Sequence, residues 1–219
     1  MIYNMTVEVK ICGLDRPETV DGAVNAGAEM LGFVFYPPSP RNLTASAASR
    51  LTNRVPASVK RVGLFVDPTD EMITTVLNQN VLDLIQLHGN EPPERVTEIK
   101  GFTSLEVIKV LKISDFYDLR YVSIYQGVAD WLMFDALAPK DMKGALPGGN
   151  ALSFDWNILA RANIPTPWIL AGGLNLENVK EAMSTSGAKV VDVSSGVEKL
   201  PGVKCVEKIK SFIRAVKET

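Results

Sequence analysis

Eight short apolar or β-branched runs recur along the chain, roughly 25 residues apart, and this recurrence limits the possible folds more than any other feature. They read VEVKIC (7–12), MLGFVF (30–35), KRVGLFV (60–66), DLIQLH (83–88), LEVIKV (105–110), DWLMFD (130–135), PWILAG (167–172) and KVVDVS (189–194). Segments such as PETVDGAVNAGA, TDEMITTVLNQN and NLENVKEAMSTSGA separate them, with apolar residues at helical intervals. Pro17 after Asp15, Asp67-Pro68-Thr69 and Asn175 mark helix starts, and Gly27 and Gly187 fall where helices end in a left-handed cap. Strands alternating with helices imply right-handed βαβ units and a parallel sheet. Closing eight such strands gives a single, compact (β/α)8 TIM barrel over residues 1–219, a suitable length for one such domain. An open doubly wound sheet is the alternative, but the first turn, ICGLDRPE, lacks its G-x-G-x-x-G fingerprint.

Charge and composition narrow the function classes. The formal net charge is −2 with both signs scattered, so no basic tract is available to follow a nucleic-acid backbone. No apolar run approaches the roughly 18–20 residues of a membrane span. The N-terminus, MIYNMTVEVK, lacks the pattern of a secretion signal. A cytoplasmic protein with two reduced cysteines is expected, since no C-x-x-C pair is present. One histidine and two cysteines offer no convincing metal set. The long irregular stretch ALAPKDMKGALPGGNALS (136–153), after the sixth strand, reads as a mobile lid or a tolerated insertion.

Barrels of this kind build their active sites at the C-terminal ends of the strands. Alternation along strand one puts Val7, Val9 and Ile11 on one face and Glu8, Lys10 and Cys12 on the other. Cys12 then tops the lumen above a charged pair, either as a reactive thiol or as an inert buried one. Asp135 ends an apolar strand and must be hydrogen-bonded, paired or near solvent; an Asx turn and a catalytic role both fit. His88, after Gln86-Leu87, suits a structural hydrogen bond as well as catalysis. Gly172-Gly173 and Ser194-Ser195-Gly196 follow strands seven and eight, where phosphate sites are common in such barrels, and SSGVEKLPG suggests an extra helical turn there.

Read together, VKICGL, GFVFYPPSPR, VGLFVD, LIQLHGNE, LPGG…FDW, LAGGLNLENV and VDVSSGVE…PGVK resemble phosphoribosylanthranilate isomerase of the tryptophan pathway, in order and over nearly the whole chain. The resemblance implies a cofactor-free, metal-free Amadori rearrangement, the third step of tryptophan biosynthesis from chorismate. In it N-(5-phosphoribosyl)anthranilate becomes 1-(2-carboxyphenylamino)-1-deoxyribulose 5-phosphate. It also implies Cys12 as general base and Asp135 as general acid, with Arg41 on the anthranilate carboxylate and Gly172, Gly173, Ser194, Ser195 and Gly196 around the phosphate. Lys10, Gln86, His88 and Asp192 take supporting roles; the turn backbone or Lys10 is expected to favour the Cys12 thiolate, and burial or the phosphate to keep Asp135 protonated. The implied partner is a small phosphoribosyl substrate, bound by a monomer or homodimer. Two departures stand out: Ala151 where many members have glycine after the lid's Gly-Gly-x, and Cys205 in place of the usual aspartate after PGVK. A histidine-pathway isomerase would carry paired aspartates, against which Cys12 argues, and intact Cys12 and Asp135 argue against a non-catalytic binding protein.

Overall fold

The computed structural model describes residues 7–219 except Lys140, Lys143 and Ala145. Residues 1–6 of the N-terminal reading, and those three residues of the 136–153 segment, therefore lie outside the described residues. Eight strands form a closed, all-parallel barrel in chain order. They are β1 (Glu8–Cys12), β2 (Met30–Phe35), β3 (Lys60–Phe65), β4 (Leu84–Leu87), β5 (Glu106–Ile113), β6 (Trp131–Ala136), β7 (Trp168–Leu170) and β8 (Val190–Val193). The predicted runs coincide with these strands. The largest differences are β5, which continues through the apolar Leu111 and Ile113, and β7, shortened before the positive-φ pair Gly172-Gly173.

Alternation along each strand sorts the core into two compartments. Val9, Ile11, Leu31, Phe33, Ile85, Leu87, Phe134 and Val191 pack outward against the helices. Met30, Val62, Leu84, Ile108, Met133, Ile169 and Val190 fill the lumen. Each such side chain, fully withdrawn from water, contributes about 1.5–3 kcal/mol relative to exposure. Cys12, Val34 and Leu64 form a separate small cluster. Lys10 is completely buried, as parity requires, but the charged pair beneath Cys12 is not Glu8 with Lys10. The partner of Lys10 is Asp192 on β8, 2.7 Å away, because closure sets Lys10 directly beside Asp192 in the register.

Helices α1 (Pro17–Ala26), α2 (Ala45–Thr52), α3 (Asp70–Leu77), α4 (Pro93–Thr103), α5 (Arg120–Tyr125), α6 (Asn157–Ala160), α7 (Val179–Ser186) and α8 (Val206–Lys217) connect or follow the strands. Their ends obey local chemistry. The Thr69 hydroxyl accepts from the Met72 amide to start α3, and Gly27 and Gly187, at φ 93° and 75°, end α1 and α7. Asn175 caps a turn ahead of α7, accepting from the Glu177 and Asn178 amides. Among the described residues no helix is long and apolar enough to cross a membrane. The helical turn expected in SSGVEKLPG is a single 3₁₀ turn, Ser195–Val197, and it leads into an antiparallel hairpin, β9 (Glu198–Leu200) and β10 (Val203–Lys204). Strands of three and two residues are too short to show an alternating pattern in sequence.

Cys205 occupies the N-cap of α8 and makes no capping bond; its thiol lies 3.1 Å from the Glu207 carboxylate instead. An aspartate there accepts from the first-turn amides and complements the helix dipole. Cys205→Asp is expected to raise stability by about 1 kcal/mol, read as a higher urea midpoint at unchanged slope.

Candidate active site

At the C-terminal end of the barrel lies a pocket of about 780 Å³, open mouth included, whose walls bring together Cys12, Arg41, Gln86, His88, Asp135 and Asp192. Gly172, Gly173, Ser194 and Ser195 complete the side beyond the ends of β7 and β8. Two of the residues singled out in the sequence stand apart from the wall. Lys10 lies fully buried beneath it, and Gly196 packs its backbone against the Leu174 carbonyl, where a side chain has no room.

Cys12 is the last residue of β1 and stands beside Gly32 of β2 in the register. A Cβ on Gly32 would lie 2.9 Å from the Cys12 sulfur and 3.2 Å from the Lys10 ammonium. The missing side chain thus makes room for a thiol and a cation side by side. Burial pushes the Cys12 thiol above its ordinary range, and the Lys10 ammonium pulls the other way without cancelling that effect. Lys10 is itself subject to burial, but Asp192 and Cys12 outweigh that cost and hold it more firmly protonated than usual.

Asp135 reaches the same pocket from β6. Its Oδ1 accepts from the Ala136 amide at 2.9 Å, and its Oδ2 lies 3.1 Å from His88 Nε2. On the far side of the ring, His88 Nδ1 is 3.2 Å from the Gln86 amide nitrogen. Asp135 is therefore hydrogen-bonded in the way its position on an apolar strand demands, while still facing the cavity.

Arg41 does not offer a free guanidinium fork. Its Nε and Nη2 donate to the two oxygens of Glu198, at 2.7 and 2.9 Å, so the side-on edge is occupied. Nη1 remains turned toward the loop after β6, 2.9 Å from where a Cβ on Gly149 would stand. A ligand carboxylate can meet Arg41 only across its remaining end. Glu198 also accepts from Lys204 at 2.6 Å, and Lys204 donates to the Ser194 carbonyl and hydroxyl at 3.0 and 3.1 Å. Arg41 and Lys204 hold the Glu198 carboxyl below its usual range against the effect of burial. The sequence reading missed both Glu198 and Lys204. The available signal was Pro201-Gly202, which marks a turn, but the short runs on either side carry no strand pattern.

The described part of the loop after β6 packs down on these groups. A Cβ on Gly148 would fall 2.6 Å from His88 Nε2 and 2.8 Å from Asp135 Oδ2. Asn150 ties the loop together, accepting from the Leu146 amide and donating to the Leu146 carbonyl. Ala151 follows at φ 57°, a left-handed conformation that costs a non-glycine residue about 1–2 kcal/mol. Among the described residues no group of three or more His, Cys, Asp or Glu side chains is placed to hold a metal ion.

The family model for N-(5'phosphoribosyl)anthranilate (PRA) isomerase matches residues 9–215. The chain belongs to the phosphoribosylanthranilate isomerase family. N-(5'-phosphoribosyl)anthranilate isomerase of Parvibaculum lavamentivorans is 51% identical over 213 residues, covering 97% of this chain and 99% of the relative. The counterpart from Paramagnetospirillum magneticum is 52% identical over 97% and 98% of the two chains. Among solved structures, phosphoribosyl anthranilate isomerase from Thermotoga maritima superposes with a TM-score of 0.86 at 36% identity, covering 97% of this chain and all of that one, 100%. A phosphoribosyl anthranilate isomerase in complex with reduced 1-(o-carboxyphenylamino)-1-deoxyribulose 5-phosphate superposes with a TM-score of 0.84 at 34% identity, over 97% and 100% of the two chains.

For this phosphoribosylanthranilate isomerase family member, the thiol environment has a measurable consequence. In a Cys205→Ser background, thiolate absorbance followed against pH should place the Cys12 midpoint above the ordinary thiol value of about 8.5. The paired change Lys10→Met with Asp192→Asn removes the lowering influence of the ammonium together with the smaller raising influence of Asp192, and should move the midpoint higher still. A midpoint at or below the ordinary value would contradict this account.

Proposed function

We propose that the pocket catalyses the family's Amadori rearrangement on N-(5'-phosphoribosyl)anthranilate, acting on a small soluble substrate in the cytoplasm as part of tryptophan biosynthesis. The observation that carries the reading is that Cys12 and Asp135 enter one pocket from β1 and β6, with Arg41 and the β7 and β8 loops on the same wall. A rearrangement of this kind moves protons and needs no redox step. It requires an acid at the furanose ring oxygen and a base at C2, both within reach of one bound sugar.

In this reading Asp135 delivers a proton to the ring oxygen, opening the sugar to an iminium ion. Cys12, as thiolate, then removes the C2 proton to give an enolamine that tautomerises to the ketone. Positive charge on the iminium acidifies C2, which suits a base otherwise disfavoured by burial. The Lys10 ammonium beneath Cys12 supplies electrostatic support for the thiolate at the moment it is needed. The free end of Arg41 receives the anthranilate carboxylate, and the amides and hydroxyls around Gly172, Gly173, Ser194 and Ser195 receive the phosphate. Gly196 serves this site by letting the β8 turn approach Leu174.

The direct test generates the unstable substrate in situ and follows the loss of anthranilate fluorescence. Turnover is expected, and its absence in well-folded protein would reject the reading. Cys12→Ser and Asp135→Asn should each lower kcat by roughly 10²–10⁴-fold, the usual worth of a positioned proton-transfer group. A near-normal rate for Cys12→Ser would place the base elsewhere.

Glu198 is expected to act on binding more than on chemistry, because it orients Arg41 and Lys204 without lining the wall itself. Glu198→Gln keeps the shape and weakens the three charge-assisted bonds from Arg41 and Lys204. KM should rise about tenfold or more with kcat changed far less, since each such bond is worth roughly 1.5–3 kcal/mol. An unchanged KM would show that Arg41 holds its pose without Glu198.

A further inference from the structure

Gln86, His88 and Asp135 form a buried row of side chains whose protons can be placed by counting donors and acceptors. Gln86 and His88 are only 1% and 6% exposed, so water does little to balance an unmatched group there. The Gln86 amide nitrogen has two neighbours, His88 Nδ1 at 3.2 Å and Met133 Sδ at 3.5 Å, while its Oε1 is buried without a partner. Turning the amide over would set Oε1 against Nδ1 and the thioether sulfur, which accepts but cannot donate. Both amide hydrogens would then point at the place now left unpartnered. A buried carbonyl short of one donor is a lesser cost than an orphaned NH₂, so the drawn orientation is the favoured one.

From this count we infer that Gln86 fixes His88 as the neutral Nε2–H tautomer, which holds Asp135 in place through a neutral hydrogen bond. Nδ1 presents its lone pair to the Gln86 N–H, and Nε2–H donates to Asp135 Oδ2. A proton on Nδ1, in the other tautomer or in the imidazolium, would face an amide N–H instead of an acceptor. Building on the proposed role of Asp135 as the acid, this arrangement has a purpose. An imidazolium partner would hold the carboxylate charged by ion pairing, whereas a neutral N–H aligns it and leaves it able to carry the proton the sugar requires. Gln86 and His88 are thus positioning residues, acting through Asp135.

His88 is the sole histidine, so untagged protein labelled with ¹⁵N-histidine yields a single imidazole spin system. Long-range ¹H–¹⁵N spectra of the unliganded enzyme at neutral pH should show Nε2 protonated and Nδ1 bare. A protonated Nδ1, alone or with Nε2, overturns the inference. Gln86→Glu presents an acceptor at the same spot and should move a proton onto Nδ1, with kcat reduced roughly tenfold or more and KM within about twofold. Gln86→Met, which removes the donor, should give a mixture of tautomers and an intermediate loss of kcat. If either folded variant keeps the wild-type tautomer and rate, Gln86 does not set the ring. The spectra need no turnover, so a failed activity assay would reject the proposed reaction while leaving the tautomer result to stand or fall by itself.

Discussion

Where the barrel closes, Lys10 stands without access to water and is held by Asp192 of the neighbouring strand at 2.7 Å. A buried charge with its partner removed costs about 3–5 kcal/mol, so this contact defines which strands meet at the seam. Its influence extends further because β8 is paired unevenly. Four residues of β1, Glu8 through Ile11, register with β8, while β7 meets β8 only at Leu170 and Val191. The β8 strand is therefore anchored on its β1 side, and the chain above β7 and β8 is left free to diverge into the Gly172-Gly173 and Ser194-Ser195 turns. The same ion pair that closes the barrel thereby shapes one wall of the pocket and sets a cation beneath Cys12.

Buried charge elsewhere follows a similar plan. Glu91 accepts from Lys109 at 2.5 Å and from the Asp67 and Gly89 amides, and Lys109 also donates to the Gly89 carbonyl. That network fixes the turn immediately after His88. Arg41, Glu198 and Lys204 do the same for the turns after β2 and β8. Such buried pairs are poor sources of net stability, since desolvation offsets most of the attraction. Their benefit here is geometric: each joins two or more loops at the mouth and fixes the separation of groups that must face one ligand.

The strands were legible because a two-residue alternation inside a repeated strand–helix unit is a local signal that survives in one sequence. Parity alone turned Lys10 and Cys12 inward, and the ends of the apolar runs marked Asp135, His88 and Ser194. The partners of these residues were not legible. Lys10 and Asp192 lie 182 positions apart, and Arg41 and Glu198 lie 157 apart, so nothing near either residue announces the other. Glu8 was the natural sequence neighbour for Lys10, but barrel closure supplied a carboxylate at the same level from the other end of the chain. Glu198 was hidden for a different reason: VEKLPGVK has the composition of an exposed turn, and only its fold over Arg41 makes the glutamate a buried anchor.

The loop after β6 presses two glycines against the site and carries one departure from the family pattern. Gly148 and Gly149 are required by close approach, because any Cβ would meet His88, Asp135 or the Arg41 guanidinium. Two residues on, Ala151 takes the same left-handed backbone region as Gly149 at a conformational cost that glycine would avoid. Beside it, Asn150 grips both the amide and the carbonyl of Leu146, holding the turn closed from within. This clasp is local and uses none of the polar groups beneath the loop. Those groups keep the positions set by the barrel, and the glycines let the loop lie directly against them.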